Sequence, residues 1–183
     1  DEAEREGILD AVRLMAVSSR TSPKTRGLDS TKTLILHGAD ELEALARAME
    51  KRCEDDPERL AFFKRNADDV RQSAAVLIIG VTGEPKKTEI PLDCGACGHN
   101  CQAILKAKKI DGGDASGPMC HFQSMDLGIA LASAVKTTSD FNVDNRMMSS
   151  IGAAARRMKL MDADLAIGIP LSASGKNVYF TGR

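Results

Sequence analysis

Ala75-Val76-Leu77-Ile78-Ile79 decides the fold: an unbroken apolar run, rich in β-branched residues, with nothing polar to face solvent. A run of this kind reads as a buried central strand, because a strand with one wet face alternates apolar with polar residues. Upstream, Leu60, Phe63, Ala67 and Val70 have helical spacing and predict a helix opening near Asp56-Pro57, where proline suits the first turn. Before it, Leu42, Leu45, Ala46, Met49 and Cys53 predict another helix, with Asp40 as its N-cap. Thr33-Leu34-Ile35-Leu36 reads as a short strand ending at Gly38, and Ile8, Val12 and Met15 mark a first amphipathic helix. Between these two lies Ser18 to Gly27, a polar, basic stretch without periodicity that reads as a loop.

Downstream the pattern changes. From Thr82 to Cys120, Gly, Pro, Lys and Cys dominate, and only Gln102 to Lys108 keeps a helical period. Leu127, Leu131, Ala134, Val135 and Thr138 then mark a helix whose small residues allow close packing. Ile151, Ala154, Ala155 and Met158 mark a further helix, with Ser149 or Ser150 as cap. Leu165 to Ile169 reads as a last core strand stopped by Pro170, and Asn177 to Phe180 as a short terminal strand. These elements predict an α+β fold, an antiparallel or mixed sheet flanked by helices. Residues 1–82 plus 121–183 form its body, and 83–120 a small cysteine-rich insertion.

The composition excludes several classes of function. A chain of 183 residues with 43% hydrophobic and 28% charged residues is a folded domain with room for an insertion. A formal charge of −1 gives no overall pull toward nucleic acid or anionic lipid, and with no Trp and one Tyr there is no stacking platform for single strands. The longest apolar run, Ala74 to Val81, is too short to cross a membrane, which takes about 20 residues. The start, Asp1-Glu2-Ala3-Glu4-Arg5-Glu6, is acidic where a secretory signal is basic and then apolar. Four of the five cysteines crowd between Cys94 and Cys120, which suggests reduced thiols gathered on a common centre and a cytoplasmic protein.

That crowding carries the strongest chemistry. Cys94-Gly95-Ala96-Cys97-Gly98-His99-Asn100-Cys101 is followed at a distance by Gly117-Pro118-Met119-Cys120. Three close thiolates plus one remote thiolate is a common way to hold an iron–sulfur cluster. Gly95 and Gly98 suit positive φ and amides turned toward sulfur, and Cys101 and Cys120 each stand just before a predicted helix, whose dipole favours thiolate. Lys106, Lys108 and Lys109 read as a solvated helix face. Zinc is the alternative: it accepts four thiolates, or His99 or His121 in place of one, although structural zinc sites commonly pair two Cys-x-x-Cys knuckles. A thioredoxin-like dithiol would open a long helix and have no further cysteines beside it. Cys53, on the apolar face of a helix, reads as a core thiol.

The Cys-Gly-x-Cys-Gly run, followed by a third and a later fourth cysteine, resembles the [4Fe–4S] motif of bacterial membrane electron-transport complexes and corrinoid iron–sulfur proteins. It departs by one residue, with three rather than four residues between Cys97 and Cys101. Asp126-Leu127-Gly128-Ile129-Ala130, Ser133 to Lys136, Asp144-Asn145-Arg146 and Pro170 to Asn177 resemble the ferredoxin domain-containing family, domain of unknown function 2148. The resemblance implies one [4Fe–4S] cluster on Cys94, Cys97, Cys101 and Cys120 and electron transfer with an unknown redox partner.

Arg20, Lys24 and Arg26, set among Ser18, Ser19, Thr21 and Ser22, form an anion-friendly segment that could hold a phosphate by charge-assisted hydrogen bonds, though composition alone favours a solvated surface loop. Together with the order of elements, they resemble the flavin-dependent nitroreductase fold. That resemblance implies an FMN phosphate at this loop, a homodimer and a flavin-linked reductase. Ser172-Ala173-Ser174-Gly175-Lys176-Asn177 fails as a Walker A, since Pro170 replaces the first glycine and Asn177 the Ser/Thr. Lys176 is kept as an anion contact in a dimer. His37 has no partner in sequence and reads as structural or exposed. The alternative function is a non-catalytic, zinc-stabilised interaction module.

Overall fold

The computed structural model describes residues 2–180; Asp1 and the last three residues of the expected body lie outside them. Along the chain run α1 (Glu2–Thr21), β1 (Thr31–His37), α2 (Ala39–Cys53), α3 (Ala61–Arg71), β2 (Ala75–Val81), α4 (Cys101–Lys106), β3 (Ile110–Asp111) and β4 (Ser116–Gly117). After them come α5 (His121–Asp140), β5 (Asp144–Asn145), α6 (Ser149–Arg157) and β6 (Leu165–Ser172). The main sheet has the order β1-β2-β6-β5 with every neighbour antiparallel, and β3 and β4 form a separate small ladder. The fold is α+β and nitroreductase-like.

The apolar run is the central strand, and every residue of β2 is buried. Its alternation sorts the core into two layers. Val76 and Ile78 face α2, α3 and α6, packing with Leu45, Met49, Phe63, Val70 and Ile151. Ala75, Leu77, Ile79 and Val81 face α1 and α5, packing with Ile8, Val12, Met15, Leu127 and Leu131. Each fully buried side chain of this size contributes about 1.5–3 kcal/mol. Two glycines set the closeness of α6 to the sheet. A Cβ at Gly152 would stand 1.8 Å from the Ala166 carbonyl oxygen, and one at Gly168 would stand 2.0 Å from Ile151 Cγ2.

Several boundaries differ from the sequence reading. The first helix runs on to Thr21 through residues expected in a loop, because Ser18, Ser19 and Thr21 donate to the carbonyls of Met15, Ala16 and Val17 and keep their hydroxyls inside the helix. Gly38, at φ 91°, and not Asp40, stands at the start of α2, and Asp40 lies in its first turn. Asp56-Pro57 belongs to the turn before α3, where Asp56 accepts from Arg59. Met148 precedes α6; Ser149 is inside it, and Ser150 instead accepts from Asn66 in the core. Pro170 does not end β6. Its missing N–H faces the outer flank, in the gap between the pairings at Gly168 and at Leu171, so the ladder with β2 in the core loses no bond. Asn177 to Phe180 is a turn rather than a strand, anchored by the buried Tyr179, whose hydroxyl bonds Ser73.

Gly152→Ala is expected to destabilise the protein by about 2–3 kcal/mol, since backbone, not a flexible side chain, blocks the new methyl. Gly128→Ala, on α5 with nothing within 4 Å, should be neutral or stabilising by up to about 1 kcal/mol. Denaturant titrations of the two variants check the pair, and equal stabilities would refute the packing argument.

Candidate metal centre

One end of the sheet carries the chemistry. Thr31 of β1, Val81 of β2 and Leu165 of β6 are paired there. Immediately beyond Val81, Gly83 accepts the Cys120 amide at 2.7 Å. A Cβ at Gly83 would lie 2.3 Å from Met119 Cβ, so only glycine lets the two segments lie this close. Cys120 is the N-cap of the 20-residue α5. Burial pushes its thiol above the ordinary range, against the pull of the Phe122 and Gln123 amides, and the nearby Cys101 and Cys97 push it further. Such crowding disfavours a bare thiolate at Cys120 unless a cationic centre neutralises it.

The other three cysteines come from the loop before α4. Gly95 and Gly98 have φ of 74° and 77°, and Gly98 donates to the Gly95 carbonyl at 2.9 Å, which folds the loop back on itself. Asn100 caps α4 by accepting from the Ala103 amide at 2.7 Å, and Asp93 accepts the Cys101 amide at 2.7 Å. Cys101 therefore opens α4 rather than preceding it. All four cysteines line a single cavity with Pro85, Leu92, Ile104 and Phe122. Cys94 is exposed and the other three are half-buried. Among the described residues no three His, Cys, Asp or Glu side chains already enclose a single-ion position. The donor set nonetheless fits an iron–sulfur group: four sulfurs in an apolar wall, three local and one remote.

Below the sulfurs sits a buried ion pair that the sequence reading missed. Lys86 Nζ lies 2.5 Å from Asp126 Oδ2, with the two side chains 9% and 1% exposed. Asp126 Oδ1 also accepts from the Thr25 amide and hydroxyl, at 2.9 and 2.8 Å. One carboxylate thus ties the loop after α1, the loop after β2 and the first turns of α5. Asp126 stood in a quoted motif, but nothing in the order of residues pairs it with Lys86.

The basic segment lies beside this cavity, and each of its cations has a partner within the chain. Lys24 donates to the carbonyls of Ser19, Arg20 and Ser22 at 2.8–3.0 Å, and burial lowers its pKa. Arg20 pairs with Asp29 and donates to the Thr31 carbonyl at 2.7 Å. Arg26 lines the cysteine cavity and donates to the Ile90 carbonyl. Lys176 is exposed at the opposite end of the sheet, beyond the Leu171 end of β6, and one chain does not bring it to this site. His37 is exposed at that same far end. Cys53 is half-buried against the core, away from the other four cysteines.

A protein of Archaeoglobus fulgidus is 40% identical over 176 residues, covering 96% of this chain and 91% of that one. Residues 116–181 match the family described as "Uncharacterized protein containing a ferredoxin domain (DUF2148)". The chain belongs to the DUF2148 family. Solved structures similar to this DUF2148 chain include an oxidoreductase containing FMN, with a TM-score of 0.59, 9% identity and coverage of 91% of this chain and 67% of that one. A BluB-like flavoprotein from Clostridium difficile is similar with a TM-score of 0.58, 10% identity and coverage of 92% and 85%. An FMN and NADPH-dependent nitroreductase from a Sphigopyxis strain gives 0.56, 12% identity and coverage of 91% and 78%. These likenesses place the DUF2148 chain in the nitroreductase-like fold. No helix among its described residues is long and apolar enough to cross a membrane.

The Asp29 carboxyl beside the site supplies a pH test. Burial alone would raise its pKa, but hydrogen bonds from Arg20 and Thr31 outweigh burial and hold it at about 2. Its stabilising effect is therefore present above the ordinary value of 3.8 and lost as the pH falls through about 2. Its side chain is about one-third exposed, so screening limits the effect to about 1 kcal/mol. Asp29→Asn should flatten stability between these two pH values, as read from denaturant midpoints across a pH series. An unchanged acid profile would show that the carboxylate is not the source.

Proposed function

We propose that this protein is a cytoplasmic iron–sulfur redox protein in which Cys94, Cys97, Cys101 and Cys120 hold one [4Fe–4S] cluster. The observation that carries the reading is the convergence of these four cysteines, from two separate segments, on one apolar cavity at the N-terminus of α5. The family's ferredoxin description supports it. When bound, the cluster would supply one-electron transfer to a redox partner. The chain's own residues would do the rest. Pro85, Leu92, Ile104 and Phe122 would exclude water from the sulfurs, and the dipole of α5 would favour the Cys120 thiolate.

A second part of the proposal is a flavin: FMN bound to the body would make the protein a small reductase. Its support is the FMN named in two of the similar structures. The basic segment supports it less, because Lys24 is 4% exposed and already surrounded by carbonyls and the Arg26 guanidinium is engaged by the Ile90 carbonyl, which leaves Arg20 as the phosphate contact with room to reach out. A homodimer is the third part. Leu14 and Val17 of α1 and Met125 and Ile129 of α5 are exposed on packed neighbouring helices, apolar side chains a second copy would cover.

Purified without oxygen, the protein is expected to be brown and to contain about four iron and four acid-labile sulfide per chain. Cys94→Ala, Cys97→Ala, Cys101→Ala and Cys120→Ala should each lose most of that iron, and Cys53→Ala should retain it. A colourless protein with stoichiometric zinc would replace the cluster by the zinc-stabilised module. Brown protein that releases no fluorescent flavin on denaturation, even after FMN is supplied, would leave the cluster and remove the flavin.

A further inference from the structure

The two halves of the cysteine site are held to the body very differently. The segment leading into Cys120 is fixed at many points. Arg52, itself 6% exposed, donates to Asp114 at 2.7 Å, and Arg156 donates to Ser116 Oγ at 2.6 Å. Lys109 pairs with Asp164, the Ser116 amide donates to the Asp164 carbonyl at 2.8 Å, and the Cys120 amide is bound to Gly83. Even the turn between β3 and β4 is fitted to its neighbour, since a Cβ at Gly113 would meet the Arg52 guanidinium at 2.8 Å.

The segment carrying Cys94, Cys97 and Cys101 has no such mooring. The hydrogen bonds that Thr88, Asp93, Gly95 and Asn100 accept are made within the segment itself. Among the described residues, a single hydrogen bond joins residues 87–107 to the rest of the chain, from Arg26 to the Ile90 carbonyl. Ile104 is the one buried side chain that accompanies it. Arg26 makes this bond from a left-handed backbone, φ 61° and ψ 15°, which a β-carbon makes unfavourable. It stands directly before a glycine at φ 67°, so the chain turns sharply at this point and aims the guanidinium across to the cysteine loop.

We propose that Arg26 is the clasp of the metal centre: a positioning residue that closes the three-cysteine loop against the fixed Cys120 and so governs how tightly the site retains its metal. The proposal rests on the cluster reading above for what is retained, but the closing of the loop can be read without it. With the clasp made, three ligands are presented together to the fourth. With it broken, the loop keeps its internal turns and cap but loses its registry with Cys120.

The test compares wild type with Arg26→Gly, which relieves the backbone strain while removing the guanidinium, and with Arg26→Lys, which restores a cationic donor. Each protein is reconstituted anaerobically with ferrous iron and sulfide and then challenged with a chelator. Arg26→Gly is expected to fill to the same iron content but to lose its visible absorbance about tenfold faster, the equivalent of one charge-assisted hydrogen bond. Arg26→Lys should recover part of the difference, and the denaturant midpoint of Arg26→Gly should not fall. Hydrogen exchange of the metal-free proteins reads the clasp directly. Amides of residues 88–101 should exchange faster in Arg26→Gly, while those of α5 stay as in wild type. Equal exchange over 88–101 in all three proteins overturns the clasp, as do equal rates of metal loss. Wild type that takes up no iron or sulfide overturns the cluster reading, and the exchange arm still decides the clasp.

Discussion

A strand with no wet side imposes most of this architecture. Every residue of β2 is buried, so each of its faces needs a helical layer and each of its edges a hydrogen-bonded neighbour. The layers are α2, α3 and α6 on one side and α1 and α5 on the other, and the neighbours are β1 and β6. With faces and edges occupied, chemistry is left to the ends of the sheet. The end beyond Val81 is where the chain leaves the core for the cysteine-bearing segment and returns to it as α5.

The return point matters because Cys120 belongs to both worlds. It caps a helix whose inner face is core, through Leu127, Ala130, Leu131 and Ala134, and it faces the three loop cysteines. Asp126, one turn into the same helix, gathers Lys86 and Thr25. A buried ion pair adds little net stability when compared with well-packed apolar residues, but losing one partner leaves an uncompensated charge. The pair therefore holds three segments to one geometry more than it strengthens the fold. The cavity is thus walled by a rigid helix and a buried electrostatic knot on one side and by a lightly held loop on the other.

Much of this was legible in the residues. The unbroken apolar run of β2, the helical spacing of Leu42 to Cys53, and the separation of Cys53 from the other four cysteines are all local patterns, and local patterns are what a linear reading detects. What it missed depends on tertiary partners. Ser18 and Ser19 look like loop residues until their hydroxyls are seen returning to helical carbonyls. Pro170 looks like a stop until the gap on the outer flank of β6 is known. Lys24 reads as a phosphate ligand, yet its ammonium is enclosed by carbonyls of its own turn. Lys86 and Asp126 lie 40 residues apart, and no spacing rule joins them.

The light mooring of residues 87–107 also bears on how such a site changes over generations. A segment joined to its scaffold by one hydrogen bond and one buried isoleucine can gain or lose a residue without disturbing helix packing. The three residues between Cys97 and Cys101 lie in a loop whose turns are its own. The scaffold, where a single methyl at Gly152 meets a carbonyl, has no such latitude. Body and cysteine loop therefore differ in the latitude they leave to sequence, the body bound by close packing and the loop by little beyond its own turns.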